Sequence, residues 1–224
     1  MTDPNRLENS SANTSDTGTA RSCIDCAVKN CRNGAGIYPP FCLTTGMDKD
    51  VEAAAMAEYE DPQVRTFTIA AAEVEAEFYC KLTRVEETVE FARRIGAKKL
   101  GIASCVGLLN EARTAGAIFR HAGFEVVGIA CKCGAHRKVE VGIPKSCESA
   151  GPNMCNPILQ AKYLNAQKTD LNIQIGLCVG HDSLFYKYSE APVTTLIVKD
   201  RVLAHNPVGA LYQAEAYYKR LLSD

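Results

Sequence analysis

The sequence predicts an α/β fold of three layers, in which helices cover both faces of a small, mostly parallel sheet. Three observations support this prediction. Short apolar segments alternate with helical patterns, which is the order of parallel βαβ units. The apolar segments are short and bounded by glycine and polar residues, as buried strands are. The length of 224 residues is enough for one domain with an appendage.

Four short apolar segments are predicted to be buried strands, with helices between them. The strands are expected at residues 99–104, 124–130, 171–177 and 193–198, and the helices at residues 108–121 and 157–168. Lys199-Asp200-Arg201 is typical of a hairpin turn, so a short edge strand, antiparallel to the others, is expected at residues 202–204. A final helix should begin at Asn206-Pro207 and extend to Leu222, since proline favours the first helical position.

The composition divides the chain into three parts. Residues 1–20 are polar and are expected to form a disordered tail. Residues 21–47 are rich in cysteine and glycine and are expected to be an irregular metal-binding segment. Residues 48–224 are expected to form the α/β domain.

The region before the first strand has a helical pattern. Apolar residues recur at steps of three and four over residues 62–95, which predicts a long helix on one face of the sheet. A capping box of Thr83 and Glu86 would divide it into two consecutive helices. Cys80 lies within this pattern beside Phe78 and is interpreted as a packing residue.

Charge and cysteine content exclude several classes of protein. The formal net charge is −1, which argues against a binder of nucleic acid or of membrane surfaces. No apolar run approaches the roughly 18 residues of a membrane span, and the N-terminus lacks the apolar stretch of a secretory signal. Eleven cysteines, an odd number in a chain of this length, do not suit a disulfide scaffold. The sequence therefore favours a cytoplasmic protein whose thiols bind metal or take part in catalysis.

The N-terminal cysteines have the spacing C-x2-C-x4-C-x10-C, formed by Cys23, Cys26, Cys31 and Cys42. A C-x2-C pair lets two thiolates bind one metal from a tight turn, and the other two thiolates complete the coordination. A segment with so few apolar residues would depend on the metal for its folding. Both a structural zinc ion and an iron–sulfur cluster fit four cysteines at this spacing.

A second group of cysteines follows the predicted strands. Since ligands of open α/β sheets bind at the carboxyl ends of the strands, these residues should meet at one edge. Thiolates suit iron–sulfur clusters and zinc, so the group predicts an iron–sulfur cluster of the 4Fe–4S type, with zinc as the alternative. The sequence leaves open which four bind, and the ligands we choose are Cys105, Cys131, Cys155 and Cys178, with Cys133 and Cys147 in reserve.

Two other interpretations stay open, one for the thiols and one for a nearby histidine. Any one free cysteine also serves as a small buried hydrophobe. His181, close to Cys178 in sequence, suits a base or a ligand but equally a hydrated loop residue.

The long loop of residues 131–155 carries several basic residues, which would hold a small anionic molecule. No glycine-rich phosphate-binding fingerprint is present.

The chain resembles a bacterial and archaeal family of unknown function whose members are described as predicted metal-binding proteins. The resemblance implies metal binding at the N-terminal cysteines and no established reaction. It covers nearly everything after the polar tail. The segments that carry it are the C-x2-C-x4-C-x10-C motif with Tyr38-Pro39-Pro40, Cys131-Lys132-Cys133, Met154-Cys155-Asn156-Pro157, the seven residues 176–182 (GLCVGHD), and His205-Asn206-Pro207.

Two functions are therefore expected as alternatives. The first is a metal–sulfur protein with redox or sulfur chemistry on a small molecule, served by an electron-transfer partner. The second is a zinc-stapled binding or metal-sensing module without catalysis. The sequence leaves open whether the protein is an enzyme.

Overall fold

The computed structural model describes residues 21–223, and the predicted disordered tail of residues 1–20 lies outside them. The chain divides into two compact units, one that ends at Arg65 and one that begins at Thr66. No helix of the described residues is both long and apolar enough to cross a membrane.

The first unit is irregular over most of its cysteine-rich segment, as predicted. Two short 3₁₀ turns contain Cys23 and Cys31, and a single helical turn, α1, spans Leu43–Gly46. A regular helix, α2, follows at Lys49–Ala57. It begins there because the Asp48 carboxylate accepts a hydrogen bond from the Asp50 N–H at 2.9 Å and so satisfies one free donor of the first turn.

The predicted long helix of residues 62–95 is two helices, α3 at Pro62–Phe78 and α4 at Arg84–Arg94. The division falls at the predicted capping box, in which the Glu86 carboxylate accepts hydrogen bonds from the Thr83 N–H and hydroxyl. The interpretation of Cys80 as a packing residue is wrong. It lies in the turn between the two helices, exposed, with a φ of 56°.

The α/β part alternates strands and helices as predicted. Its strands are all parallel, and they lie in the order β2-β1-β3-β4. The elements are β1 at Lys99–Ser104, α5 at Leu109–His121, β2 at Glu125–Ala130, α6 at Pro157–Ala166, β3 at Leu171–Ile175, α7 at His181–Tyr188, β4 at Val193–Ile197 and α8 at Val208–Tyr212.

Apolar side chains from both faces of the sheet form two cores, which gives the three predicted layers. On one face, Leu100 and Ile102 of β1 pack with residues of α4 and α5, among them Phe119. On the other face, Ala103 packs with residues of α6 and α7, among them Leu164. Side chains alternate across β1 because successive residues of a strand point to opposite faces.

Two elements after β4 differ from the prediction. Residues 202–204, expected as an antiparallel edge strand, belong to a turn. The Asp200 carboxylate accepts hydrogen bonds from the N–H groups of Val202 and Leu203 at 2.9 and 2.8 Å, which folds the chain back on itself. The final helix is also shorter than expected, since α8 ends at Tyr212 rather than at Leu222.

We predict that Gly101→Ala destabilises the protein by about 1–3 kcal/mol, because the new methyl group has no space. A Cβ at this position would lie 2.1 Å from Asn172 Oδ1 and 3.0 Å from Leu164 Cδ1. The Asn172 oxygen cannot move freely, since it accepts a hydrogen bond from the Thr169 hydroxyl at 2.8 Å. Chemical denaturation measures the difference in free energy of unfolding.

Gly128→Ala is the matched control, because Gly128 also lies within a strand of the same sheet. The nearest atoms to its Cβ would be the Ile102 carbonyl oxygen at 3.7 Å and Ile102 Cβ at 3.8 Å, which are ordinary contacts. Equal destabilisation by the two substitutions would contradict the packing described for β1 and α6.

Candidate metal centre at the carboxyl edge of the sheet

Parallel pairing of β1 with β2 brings two cysteines side by side. Ser104 and Ala130 are paired at the ends of these strands, so Cys105 and Cys131 are the next residues on each. The Cys131 N–H continues the ladder and donates to the Ser104 carbonyl at 2.9 Å. The register therefore places the two cysteines side by side at the carboxyl edge of the sheet.

Cys155 reaches the same edge from the end of the long loop. The N–H of Asn156 donates to the Cys131 carbonyl at 2.7 Å, which joins the loop to the end of β2. The Asn156 side chain then caps α6 by accepting from the Leu159 N–H at 2.9 Å. The local sequence Cys155-Asn156-Pro157 therefore begins a helix and places a thiol at the sheet edge.

One helical turn further on, Gln160 ties the two strand ends together. Its side-chain amide N–H group donates to the carbonyls of Ser104 and Ile129 at 3.1 and 2.8 Å. Its oxygen Oε1 is buried without a hydrogen-bond partner among the described residues. The amide thus holds Ser104, the residue before Cys105, and Ile129, two residues before Cys131.

Three thiols form a row at this edge. We use the name thiol row for Cys105, Cys131 and Cys155. The Cys131 thiol lies in the middle and shares hydrogen bonds with each of the other two. Cys131 is only 3% exposed and Cys105 8%, whereas Cys155 is half-buried. The Val106 N–H also donates to Cys131 Sγ at 3.3 Å, so the row lies against backbone donors as well.

The thiols of the row differ in protonation. A hydrogen bond from Cys131, with help from the Gly107 N–H and the Lys199 ammonium, lowers the pKa of Cys105. Hydrogen bonds from Cys131 and then from His181 lower the pKa of Cys155. The two neighbouring sulfurs and burial raise the pKa of Cys131 itself. The surroundings therefore favour the thiolate form of Cys105 and Cys155 and the protonated form of Cys131.

His181 is the first residue of α7, and its imidazole meets the Cys155 end of the row. The hydrogen bond to Cys155 raises the pKa of His181, so that its cationic form is stabilised beside the thiolate. The sequence left open whether His181 belongs to the site or is a hydrated loop residue. The structure supports the first role, since the imidazole is the partner of Cys155.

Cys178, the fourth favoured ligand, lies at the same edge after β3 but has a different partner. Its Sγ accepts a hydrogen bond from Arg201 Nη2 at 2.9 Å. Its carbonyl accepts from the His181 N–H at 2.9 Å, so the two residues belong to one turn at the start of α7. Arg201 comes from the turn after β4 that Asp200 orders.

The two reserve cysteines lie in the long loop. Cys133 and Cys147 are both exposed. Three of the basic side chains of this loop, expected to hold an anion, make bonds within the loop itself. Lys132 donates to the Asn153 carbonyl, Arg137 pairs with Glu148 at 2.9 Å, and Lys138 donates to the Cys147 carbonyl.

Besides His181 and Lys132, whose charges act on Cys155, two further cations approach the thiols from the segment after β4. Lys199 contacts Cys105, and Arg201 contacts Cys178. The sequence reasoning interpreted both as parts of a hairpin turn and missed them. Their position could have revealed them, because they come shortly after β4 as Cys105 comes after β1. The carboxyl ends of parallel strands share one edge of a sheet.

The four N-terminal cysteines lie in short turns and loops. They are free thiols, as are the other seven cysteines. Cys23 and Cys31 are exposed, and Cys26 and Cys42 are half-buried. Hydrogen bonds from Thr44 and then Thr45 lower the pKa of Cys42. Within residues 21–223, no group of three or more cysteine, histidine or acidic side chains is arranged as a ready metal site. Metal binding by either group of cysteines therefore stays a prediction.

Two comparisons with known proteins place this chain in a family. Residues 42–196 match the family model described as protein of unknown function DUF1847. The chain is also similar to the uncharacterized protein MJ0455 of Methanocaldococcus jannaschii, with 47% identity over 182 residues, which are 80% of this chain and 92% of that protein. The chain belongs to the DUF1847 family, which confirms the predicted membership of a family of unknown function.

The extent of the family match separates the two groups of cysteines. The matched residues 42–196 include the thiol row, Cys133, Cys147 and Cys178. They begin at Cys42, so the first three cysteines of the N-terminal motif lie before the match. The family match therefore gives no support to metal binding by the complete N-terminal motif.

We predict that Cys155 of reduced, chelator-treated protein reacts quickly with iodoacetamide at pH 6, because thiolate rather than thiol is the nucleophile. His181→Asn removes the imidazole that lowers the pKa of Cys155. If the pKa of Cys155 rises by one unit from about 4, the thiolate fraction and the alkylation rate at pH 4 fall about fivefold, whereas the rate at pH 9 is nearly unchanged. Peptide mass spectrometry measures the rate at Cys155.

The exposed Cys133 thiol serves as the internal reference for reagent and time, since the reagent reaches it directly. If the His181→Asn variant alkylates Cys155 at the wild-type rate at pH 4, the imidazole has no influence on this thiol.

Proposed function

We propose that the thiol row, completed by Cys178, is the ligand set of a metal–thiolate centre, and that the centre is an iron–sulfur cluster. The observation that supports this proposal is the meeting of three thiols from three separate segments of chain. They follow β1, follow β2 and precede α6, and the middle thiol touches both of the others.

Ordinary packing explains this arrangement poorly. A free cysteine in a core behaves as a small hydrophobe and has no need of charged neighbours. Here the outer two thiols favour the thiolate form, and Lys199 and His181 face them. Negative charge at a half-buried edge is expensive unless it is compensated, so the cations are a reason to regard these sulfurs as working thiolates.

The donor set fits the proposed group. Thiolates bind iron–sulfur clusters and zinc and do not suit magnesium or calcium. A centre with four thiolates keeps a net negative charge, which Lys199 and Arg201 would balance. Hydrogen bonds to the sulfurs are also among the factors that set the reduction potential of a cluster. When bound, such a group would supply electron transfer or sulfur chemistry.

In that function the chain's own residues have distinct roles. Cys105 and Cys131 would bind from strand ends that the Gln160 amide holds in register. Cys155 would bind from a loop joined to β2 through its neighbour Asn156. Arg201 would donate to the Cys178 sulfur and limit its charge. We place the protein in the cytoplasm, where its thiols stay reduced, with an electron-transfer partner and a small anionic substrate.

A zinc-bound module without catalysis is the second candidate, and one observation favours it. The thiols of the row are close enough to share hydrogen bonds. One tetrahedral ion with Zn–S bonds of about 2.3 Å holds its ligands close together, whereas the cysteines of a cluster bind different irons. His181 would then be the fourth ligand in place of Cys178. If the protein is a zinc-bound module, the four N-terminal cysteines would bind a separate structural zinc ion. If it is an iron–sulfur protein, they would form a structural or electron-feeding metal centre.

We predict that protein purified without oxygen is brown and contains about four iron and four sulfide ions per chain in the α/β part. Cys105→Ser and Cys178→Ser should each lower iron affinity by at least about tenfold, since even residues that only orient metal ligands contribute that much. Elemental analysis and visible absorption measure both. The two positions lie far apart in sequence, so a joint effect requires a shared site.

Cys80→Ser is the control, because Cys80 is an exposed thiol outside both groups. The double variant Cys23→Ser, Cys26→Ser should lose the metal of the N-terminal segment and keep the iron of the thiol row. Unchanged iron in both the Cys105 and Cys178 variants would refute the shared site. Colourless protein whose single zinc ion per chain depends on Cys131 and His181 would establish the second candidate instead.

A further inference from the structure

We propose that Cys105 and Cys131 form an intramolecular disulfide when the metal-free protein meets a peroxide. The thiol row then has two states, a reduced one that can bind metal and an oxidised one that cannot. The disulfide itself is inferred from the geometry of the chain, and its effect on metal binding rests on the proposed function.

The register of the sheet brings the two residues within disulfide distance. They directly follow Ser104 and Ala130, which are paired in parallel, and the Cys131 N–H bonds to the Ser104 carbonyl. Adjacent strands lie about 4.7–4.9 Å apart. Disulfides join Cα atoms that are about 4.4–6.8 Å apart. The pair therefore needs no movement of the strands to form the bond.

Both side chains also point to the same face of the sheet. They belong to the apolar cluster that includes Ala161 and Leu164 of α6, and their thiols already share a hydrogen bond. Cys105 is 8% exposed, which admits a molecule as small as hydrogen peroxide but excludes a second protein chain. An intramolecular bond is thus favoured over a crosslink between chains at this pair.

The reaction takes two steps. The Cys105 sulfur attacks one oxygen of hydrogen peroxide, a sulfur–oxygen bond forms, the oxygen–oxygen bond breaks and water leaves with the thiol proton. The Cys131 sulfur then attacks the Cys105 sulfur, the disulfide forms, the sulfur–oxygen bond breaks and a second water leaves with the Cys131 proton. The two thiols lose two electrons and two protons, and one peroxide becomes two waters.

Cys155 is the other neighbour of Cys131, and the structure favours Cys105 over it. Two paired strands fix Cys105 and Cys131 relative to each other. Cys155 lies at the end of a loop, and its thiol also has His181 as a partner. A disulfide between Cys131 and Cys155 is therefore the competing product that the experiment must distinguish.

The test treats reduced, chelator-stripped, full-length protein with hydrogen peroxide, blocks the remaining thiols and maps tryptic peptides without reduction. Trypsin separates the relevant thiols, since Cys105 lies in the peptide 100–113, Cys131 in 121–132 and Cys155 in 146–162. We expect peptide 100–113 joined to peptide 121–132 as the main early product. Thiol titration under denaturing conditions should fall from eleven to nine per chain.

Cys105→Ala should abolish this product, and Cys133→Ser, which changes an exposed neighbour of Cys131, should preserve it. The wild-type map decides the question even if the Cys105 variant does not fold. Peptide 121–132 joined mainly to peptide 146–162, or no joined peptide while exposed thiols are already oxidised, would overturn the proposal.

The two proposals fail separately. Metal content is measured on the reduced protein before peroxide is added. Protein that binds no metal but forms the disulfide refutes the metal centre alone, whereas protein that binds metal but never joins these peptides refutes the disulfide alone. If both hold, peroxide-treated apoprotein should take up no metal at the row until a thiol reductant is added.

Discussion

The parallel pairing of β1 with β2 is the constraint on which the candidate site depends. Because Ser104 is paired with Ala130, the next residue of each strand is a cysteine at the same edge and on the same face. A slip of one residue would turn one thiol to the opposite face. The buried Gln160 amide bonds to both strand ends and so opposes that slip.

Charge is the second organising feature of this edge. Both ends of the thiol row favour the thiolate form, and Lys199, Arg201 and His181 approach the sulfurs from the segments after β4 and β3. Arg137 and Lys138 of the long loop bind within the loop, whereas the charge of Lys132 also lowers the pKa of Cys155. The bonds of Arg137 and Lys138 help to order this long loop. Lys199 and Arg201 face thiols that are distant from them in sequence.

The sequence predicted the fold class well because its signals are local. Apolar runs located all four strands, and the Thr83–Glu86 capping box located the division between α3 and α4. The rule that strand ends share an edge also placed Cys105 and Cys131 together. The sequence could not show that Cys178 faces Arg201 or that Lys199 meets Cys105, because these contacts depend on how the turn after β4 folds. That turn was wrongly predicted as a strand, since the hydrogen bonds that the Asp200 carboxylate accepts override the β-propensity of Val202.

X-ray absorption at the metal edge, measured on full-length protein in which the four N-terminal cysteines are serines, shows most directly whether the thiol row binds metal. We expect a first shell made mainly of sulfur at about 2.3 Å, which is lost when Cys131 is also replaced. A first shell of nitrogen and oxygen alone at about 2.0–2.2 Å, or a sulfur shell that persists without Cys131, would contradict it.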